Sequence, residues 1–426
     1  MRRAALVALA SVAAYLPSFG GAFQFDDYNV IVHYPTVHSW DLLFERAGAG
    51  VRALLKASYT LNWTLGGGST FGFHLVNVAL HALNAVLLLL IGRRIFPLHP
   101  NASLVAALLF ALHPAQTEAV TYISGRSVSL MAAFYLGSIL LYLRRSHFSV
   151  VLFILALAIK ETAVTLPVAL LLIELARPER EPWREVLRRQ APHWIVLGAG
   201  ALVILLVPRY FELIAYGFSQ RGPLENLLTQ VGGISYLLAR LVTLQGYNID
   251  PGLAPFQGFT ALFLQAALIL GLLALGLSTL RTRPWLGFGI LWFFLQLAPT
   301  NSIVPRLDVA NDRQLYLACW GLFFALTIQI SRFDLPSKIP VALAAAAMIA
   351  FAAASIARQL DYRDEITLWE ASVRENPANP RARNNLGYAY YLAGRKAEAR
   401  REIEAAARLD PAYEKPRANL LLLDWR

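Results

Sequence analysis

The chain has 426 residues, 57% hydrophobic and 15% charged, with a mean hydropathy of +0.49. That much apolar surface exceeds what a water-soluble core hides, which excludes an ordinary soluble enzyme. The formal charge of +11 lies in small groups between apolar runs and forms no continuous basic face, so a nucleic-acid partner is excluded as well. The one cysteine, Cys319, sits inside an apolar run and offers neither a disulfide framework nor a thiolate metal site.

From the N-terminus, Arg2-Arg3 followed by Ala4 to Phe19 has the basic start and apolar stretch of a first span, a pattern that a cleaved signal peptide shares. A retained helix with Arg2 and Arg3 in the cytoplasm orients everything downstream. The apolar runs then predict about eleven membrane-spanning helices, near 4–20, 72–92, 103–117, 127–143, 147–159, 162–176, 193–208, 259–280, 285–299, 315–331 and 339–357. The basic groups at Arg93-Arg94, Arg144-Arg145, Arg177 to Arg189, Arg281 with Arg283, and Arg332 with Lys338 all fall on the side of Arg2-Arg3. The opposite, external side receives the loop 21–71, the loop 118–126, the Lys160-Glu161 junction, the segment 209–258 and the loop 300–314. Within it, 224–245 reads as a helix lying at the interface, because a further span there would invert every later basic group. The expected fold is an all-α polytopic membrane domain over 1–358, with a soluble unit over 359–426 that also lands outside.

That unit carries a repeat signal. Leu386-Gly387, Tyr390, Ala399, Ile403, Ala406 and Pro411 occupy tetratricopeptide (TPR) offsets, and Pro377 stands one 34-residue repeat before Pro411. Trp369 belongs to a degenerate preceding repeat, and Leu420 begins a following half. So short an array is unstable alone and is expected to pack on the membrane domain, as a structural cap or as a surface that holds a polypeptide or partner protein.

Chemistry is expected where charges sit at the external membrane surface. Asp26-Asp27 places two carboxylates a few residues beyond the first span; apolar surroundings raise a carboxylate's pKa and suit it to accept a proton, although a solvated turn or a cap has the same residues. His113, Glu118, Tyr122 and Arg126 cluster around one loop, and Lys160-Glu161 interrupts apolar sequence as a functional pair or a self-neutralising one. Arg306, Asp312, Arg313 and Tyr316 add another polar group. An acid beside cations at a bilayer surface suits a lipid-linked phosphate donor, whose anionic leaving group needs positive charge. The same set of residues could serve lipid binding or transport. No ligand cluster for a metal is visible, so neither a metal nor another cofactor is expected.

The phrases FDDYNVIVHYPTV (25–37), FHLVNVALHALNAVLL (73–88), LLFALHPAQTEAVTYISGRSVSLMAAFYLGSILLY (108–142), IKETAVTLPVALLLIE (159–174) and NDRQLYLACWG (311–321) resemble the transmembrane-and-tetratricopeptide (TMTC) family. The resemblance covers most of the chain, and the His-Pro-x-x-x-Glu-x-Val-x-x-Ile-x-Gly-Arg stretch is its most specific part. That family lies in the GT-C glycosyltransferase superfamily and is similar to the protein O-mannosyltransferases. The resemblance therefore implies inverting transfer of a sugar, mannose first, from a polyprenyl phosphate to a hydroxyl of an exported protein on the non-cytoplasmic face.

It also assigns the catalytic carboxylate to Asp26, with Asp27 beside it. Arg52, His113, Arg126, Lys160 and Arg313 are then expected to neutralise the lipid phosphate, and Glu118, Glu161, Asp312 and Tyr316 to orient or support those cations. Two departures keep the charge: Arg52-Ala53 stands where relatives often have Arg-Pro, and Asp312-Arg313 where they have Glu-Arg. The tail is shorter than the long arrays of the animal proteins, which resembles a bacterial relative in the inner membrane with its active site on the periplasmic face. The rival readings are a membrane-anchored TPR scaffold for envelope assembly, expected to survive loss of Asp26, and a lipid or sugar transporter, expected to place its charges near the bilayer midplane.

Overall fold

A computed structural model describes residues 1–46, 52–206, 208–253, 259–334, 336 and 338–424. The helices in chain order are α1 (Arg2–Ala14), α2 (Trp40–Glu45), α3 (Ala53–Gly66), α4 (Thr70–Ile95), α5 (Pro100–Leu112), α6 (Thr117–Val120), α7 (Arg126–Leu143), α8 (Phe148–Ile159), α9 (Leu166–Ala176) and α10 (Trp183–Leu206). There follow α11 (Pro208–Gln220), α12 (Pro223–Thr243), α13 (Phe259–Thr279), α14 (Pro284–Leu297), α15 (Leu315–Ser331), α16 (Lys338–Leu360), α17 (Glu365–Glu375), α18 (Pro380–Leu392), α19 (Lys396–Leu409) and α20 (Glu414–Asp424). The described residues contain no strand, so the protein is all-α.

Among the described residues, six stretches are long and apolar enough to cross a bilayer: Arg2–Gly20, Thr70–Ile95, Ile123–Leu143, Phe259–Thr279, Asp312–Ser331 and Lys338–Leu360. The bent pair Pro100–Leu112 and Pro114–Val120, broken by 56° at His113-Pro114, makes a seventh if it is one span. Helix length and composition therefore do not confirm the eleven expected, a number that included short apolar runs. At 1.5 Å per residue, α8 and α14 extend only about 18 and 21 Å against a hydrocarbon core of about 30 Å. The segment 21–71, expected as a loop, contains two helices among its described residues, α2 and α3.

The burial pattern identifies the solvent. α4, α5, α7, α14 and α15 form the packed centre, with α14 along α15 and α7 along both α4 and α8. At the periphery, α16 buries Ser355, Arg358 and Gln359 while Ile339, Val341, Leu343, Ile349 and Ile356 stay exposed. Its buried polar groups are used: Ser355 donates to the Leu112 carbonyl at 2.7 Å and Gln359 to that of Ala14 at 2.8 Å. A helix with polar groups inward and apolar groups outward is stable only against lipid. The protein is an integral, polytopic membrane protein.

The two ends of the bundle differ. At the end where α1 begins, Arg3 donates to the Pro100 carbonyl and to Asn101, Arg332 lies over the Trp285 ring, and Arg145 and Arg189 share Glu181. Arg145, Arg189 and Arg332 belong to three of the predicted basic groups. At the other end the chain leaves α1 into Asp26-Asp27, and α17 to α20 pack there as successive antiparallel hairpins. Gly387 lets α18 and α19 meet: a Cβ would lie 2.5 Å from Ile403 Cγ1 and 2.9 Å from the Ala399 carbonyl. The segment at 224–245 is a helix, α12, whose buried Asn226 and Gln230 face the loop after α14 through Ser302 and Asn301.

Candidate active site

The two adjacent aspartates point to different surroundings. Phe25 adopts a left-handed backbone, φ 48°, immediately before them. For a residue with a Cβ such a conformation costs about 1–3 kcal/mol and persists where neighbours hold it. Asp27 is fully buried, and its carboxylate accepts the N–H of Gln24 at 3.0 Å, the N–H of Ser124 at 2.8 Å and the Ser124 hydroxyl. Burial pushes its carboxyl up to about 7, the Ser124 and Gln24 bonds opposing. Asp26 instead lines an open cavity of about 340 Å³. Its N–H donates to the Tyr122 hydroxyl at 2.9 Å. Burial raises its carboxyl above the ordinary range, with Arg313 opposing.

Arg52, Lys56, Lys160, Arg306 and Arg313 line the same cavity, together with Tyr34 and Asn29. One carboxylate among five basic side chains is an arrangement that can bind an anion beside a proton acceptor. Lys160 is nearly buried, and desolvation, reinforced by Arg313 and Arg52, lowers its pKa well below the ordinary lysine value. Burial likewise lowers Arg306. A smaller chamber of about 40 Å³ shares Lys160, Arg306 and Arg313 and continues between α7, α14 and α15 past Met131, Gln296 and Tyr316.

Acidic partners hold two of the cations. Glu118 accepts the Arg313 N–H at 2.9 Å and pairs with its guanidinium at 3.4 Å. Arg52, itself left-handed at φ 62°, donates to both Glu161 oxygens at 2.9 Å. Asp312 does not join them; it accepts from the Asn248 N–H at 2.9 Å and the Tyr236 hydroxyl at 3.4 Å. The Tyr316 hydroxyl bonds His81 and Asn84, each at 3.0 Å.

The structure does not bring Arg126 or His113 to the cavity. Arg126 is wholly buried and donates to Asn77 Oδ1 at 2.8 Å and to the Ser58 and Phe73 carbonyls at 3.1 and 2.9 Å, with Tyr59 and Phe73 flanking its guanidinium. His113 caps the break after α5 by accepting the Ala115 N–H, edge-on to Phe351. The His-Pro-x-x-x-Glu-x-Val-x-x-Ile-x-Gly-Arg stretch is therefore a supporting loop. Gly125 permits its closure, since a Cβ there would lie 2.3 Å from the Glu118 carbonyl. The loop presents Ser124 to Asp27 and Glu118 to Arg313.

Sequence reasoning passed over Lys56 and Tyr34, and it noted Arg306 without placing it among the phosphate-binding cations. It also passed over His74, Asn77, His81 and Asn84, a polar stripe on α4. Their spacing puts four costly side chains on one face of an otherwise apolar helix, a signal that was available. The stripe fastens the ends of neighbouring elements: His74 bonds the Gly21 carbonyl, Asn77 holds Arg126, and His81 bonds the Ala111 carbonyl. Among the described residues no group of three or more His, Cys, Asp or Glu side chains is placed to hold a metal ion.

Fold and site define a polytopic membrane protein with an acid-and-cation cavity at one end of its bundle. Its curated relatives are protein O-mannosyl-transferases of the TMTC kind. The chain is 22% identical over 442 residues to a protein O-mannosyl-transferase of Caenorhabditis elegans, across 95% of this chain and 62% of that protein. It is 33% identical over 165 residues to protein O-mannosyl-transferase TMTC4 of Mus musculus, and 41% identical over 122 residues to protein O-mannosyl-transferase Tmtc1 of Drosophila melanogaster. These two matches cover 32% and 27% of this chain, and 22% and 14% of the relatives. The chain thus spans less than two thirds of the curated relatives it matches. No family profile matches the chain, and no solved structure does.

Proposed function

We propose that the protein is a membrane glycosyltransferase that moves one sugar, mannose first among candidates, from a polyprenyl-phosphate carrier to a hydroxyl of an exported protein. The observation that carries this is the cavity that Asp26 lines together with Arg52, Lys56, Lys160, Arg306 and Arg313. The names of the curated relatives support the sugar and the class of acceptor. The charge bias of the sequence supports an external, non-cytoplasmic site.

The Asp26 carboxylate takes the proton of the acceptor hydroxyl as its oxygen bonds to the anomeric carbon. The bond from that carbon to the phosphate oxygen breaks with its electron pair, leaving polyprenyl phosphate with one more negative charge. Attack opposite the leaving group inverts the anomeric configuration. Lys160, Arg306 and Arg313 receive the growing charge, with Arg52 and Lys56 at the rim; fixed cations in a partly dry site stabilise such charge far better than water does. Glu118 and Glu161 hold Arg313 and Arg52 in place. This arrangement asks for no divalent ion.

Purified full-length protein given polyprenyl-phosphate mannose, an acceptor peptide and a chelator is expected to transfer mannose. Asp26→Asn is expected to lower the rate by 10²-fold or more, the scale of a lost general base. An unchanged rate in that variant would remove Asp26 from the mechanism.

A further inference from the structure

The base and the phosphate-facing arginines come from loops far apart in sequence, and one element touches both. The turn before Asp26 is fastened to the junction of α16 and α17. Ala22 donates its N–H to the Arg363 carbonyl at 3.1 Å, and the Gln24 amide donates to the Tyr362 carbonyl at 2.7 Å. The strained Phe25 has its N–H accepted by Glu365 at 3.3 Å, while its ring stands edge-on to Trp369, centroids 5.1 Å apart at 86°. Trp369 is fully buried and donates its indole N–H to the other Glu365 oxygen at 3.1 Å.

At the loop that carries Arg306, Arg381 of α18 donates to both oxygens of Asp250, at 2.5 and 2.6 Å, and to Asp308 at 2.6 Å. Asp308 stands two residues beyond Arg306, which lines the cavity. Asn379 and Asn376 bond the Asp250 and Pro251 carbonyls, so the segment 248–252 is clasped as well.

We infer that the C-terminal helical unit is a positioning element of the transfer site: Glu365 and Trp369 hold the turn that aims Asp26, and Arg381 holds the loop that presents Arg306. The inference rests on the proposed sugar transfer, and it gives the unit a task inside the reaction beyond capping the fold or docking a partner. None of Glu365, Trp369 and Arg381 lines the cavity; they act through Asp26 and Arg306. A bidentate arginine pair and an edge-on aromatic pair both fix orientation, which a greasy contact alone does not. Displacing a reacting group by about 1 Å is enough to cost 10²-fold in rate.

The test uses the full-length protein in lipid nanodiscs, with Glu365→Ala, Trp369→Ala, Trp369→Phe, Arg381→Ala and, as a control on the unit's exposed face, Tyr388→Ala. Backbone amide exchange over residues 22–29 and transfer kinetics are read on each. Glu365→Ala and Trp369→Ala are expected to speed exchange at 22–29 tenfold or more and to lower kcat tenfold or more, with donor KM within twofold. Trp369→Phe is expected to restore most of both, Arg381→Ala to lower kcat and raise donor KM, and Tyr388→Ala to change neither. Unaltered exchange at 22–29 in both alanine variants overturns the inference, as does a normal kcat in a variant whose unit has come loose. Faster exchange in a protein whose wild type transfers no sugar would sink the proposed reaction and leave the positioning contacts standing.

Discussion

Asp26 and Asp27 are neighbours with different surroundings, because one turn aims the first into the cavity and the second into the 118–126 loop. Asp27→Ala leaves the Gln24 and Ser124 N–H groups without an acceptor, which is expected to cost about 2 kcal/mol or more. A clear drop in thermal-melting temperature checks this, against an Asp26→Asn protein that melts like the wild type. The titrations give a second prediction. Asp26, raised by burial, stays protonated to a higher pH than an ordinary carboxylic acid and then cannot take a proton. The acid limb of kcat/KM is therefore expected above the usual carboxylate value of about 4. Lys160, lowered by burial, sheds its proton below the usual lysine value and then cannot meet the phosphate. That puts an alkaline limb below about 10. Lys160→Arg, which keeps its charge, is expected to carry the alkaline limb upward, and a limb that stays put assigns it to another group.

At the scale of elements, the 113–126 loop and the stripe on α4 form a truss beneath the cavity. Arg126→Ala strips the hydrogen bonds from Asn77 and from the Ser58 and Phe73 carbonyls in a buried setting. The expected loss is about 3 kcal/mol, seen as reduced yield and melting temperature. Donor affinity in whatever protein folds is expected within twofold of wild type; a large affinity loss at normal stability would return Arg126 to the phosphate site. The resemblance offered this residue as a phosphate ligand, and in the sequence an arginine at a membrane surface reads the same in either role. Only the burial of its guanidinium between Tyr59 and Phe73 separates them.

For the molecule as a whole, the ends of the bundle are expected on opposite sides of the membrane. The single native cysteine, Cys319, is buried, so introduced thiols give a clean signal. A Lys396→Cys protein is expected to react with an impermeant thiol reagent from outside intact cells, and His147→Cys only after the membrane is opened. The reverse pattern would put the cavity in the cytoplasm. The structure also changes how the C-terminal unit is probed. Deleting it removes contacts to both the turn before Asp26 and the loop that carries Arg306, so a truncated protein that fails to transfer sugar does not mark the protein as a scaffold; point substitutions do that work.

The membrane class, the spans around α1, α4, α7, α13, α15 and α16, and the acidic pair beyond α1 were set by the sequence alone. Hydropathy and side-chain type act over a single helix length or a single turn, and they read directly from the chain. The family resemblance was likewise carried by short runs of residues. What tertiary structure decided was membership of the cavity. It admitted Lys56 and Arg306, sent Arg126 and His113 into the packing, and turned Asp312 toward Asn248. It also separated Asp26 from Asp27 through a backbone twist at Phe25. These outcomes depend on which loops meet, and Phe25 meets Glu365 and Trp369 across more than three hundred residues of chain. Contacts of that range come from packing, in which hydrogen-bond partners and ring faces decide what no local pattern states.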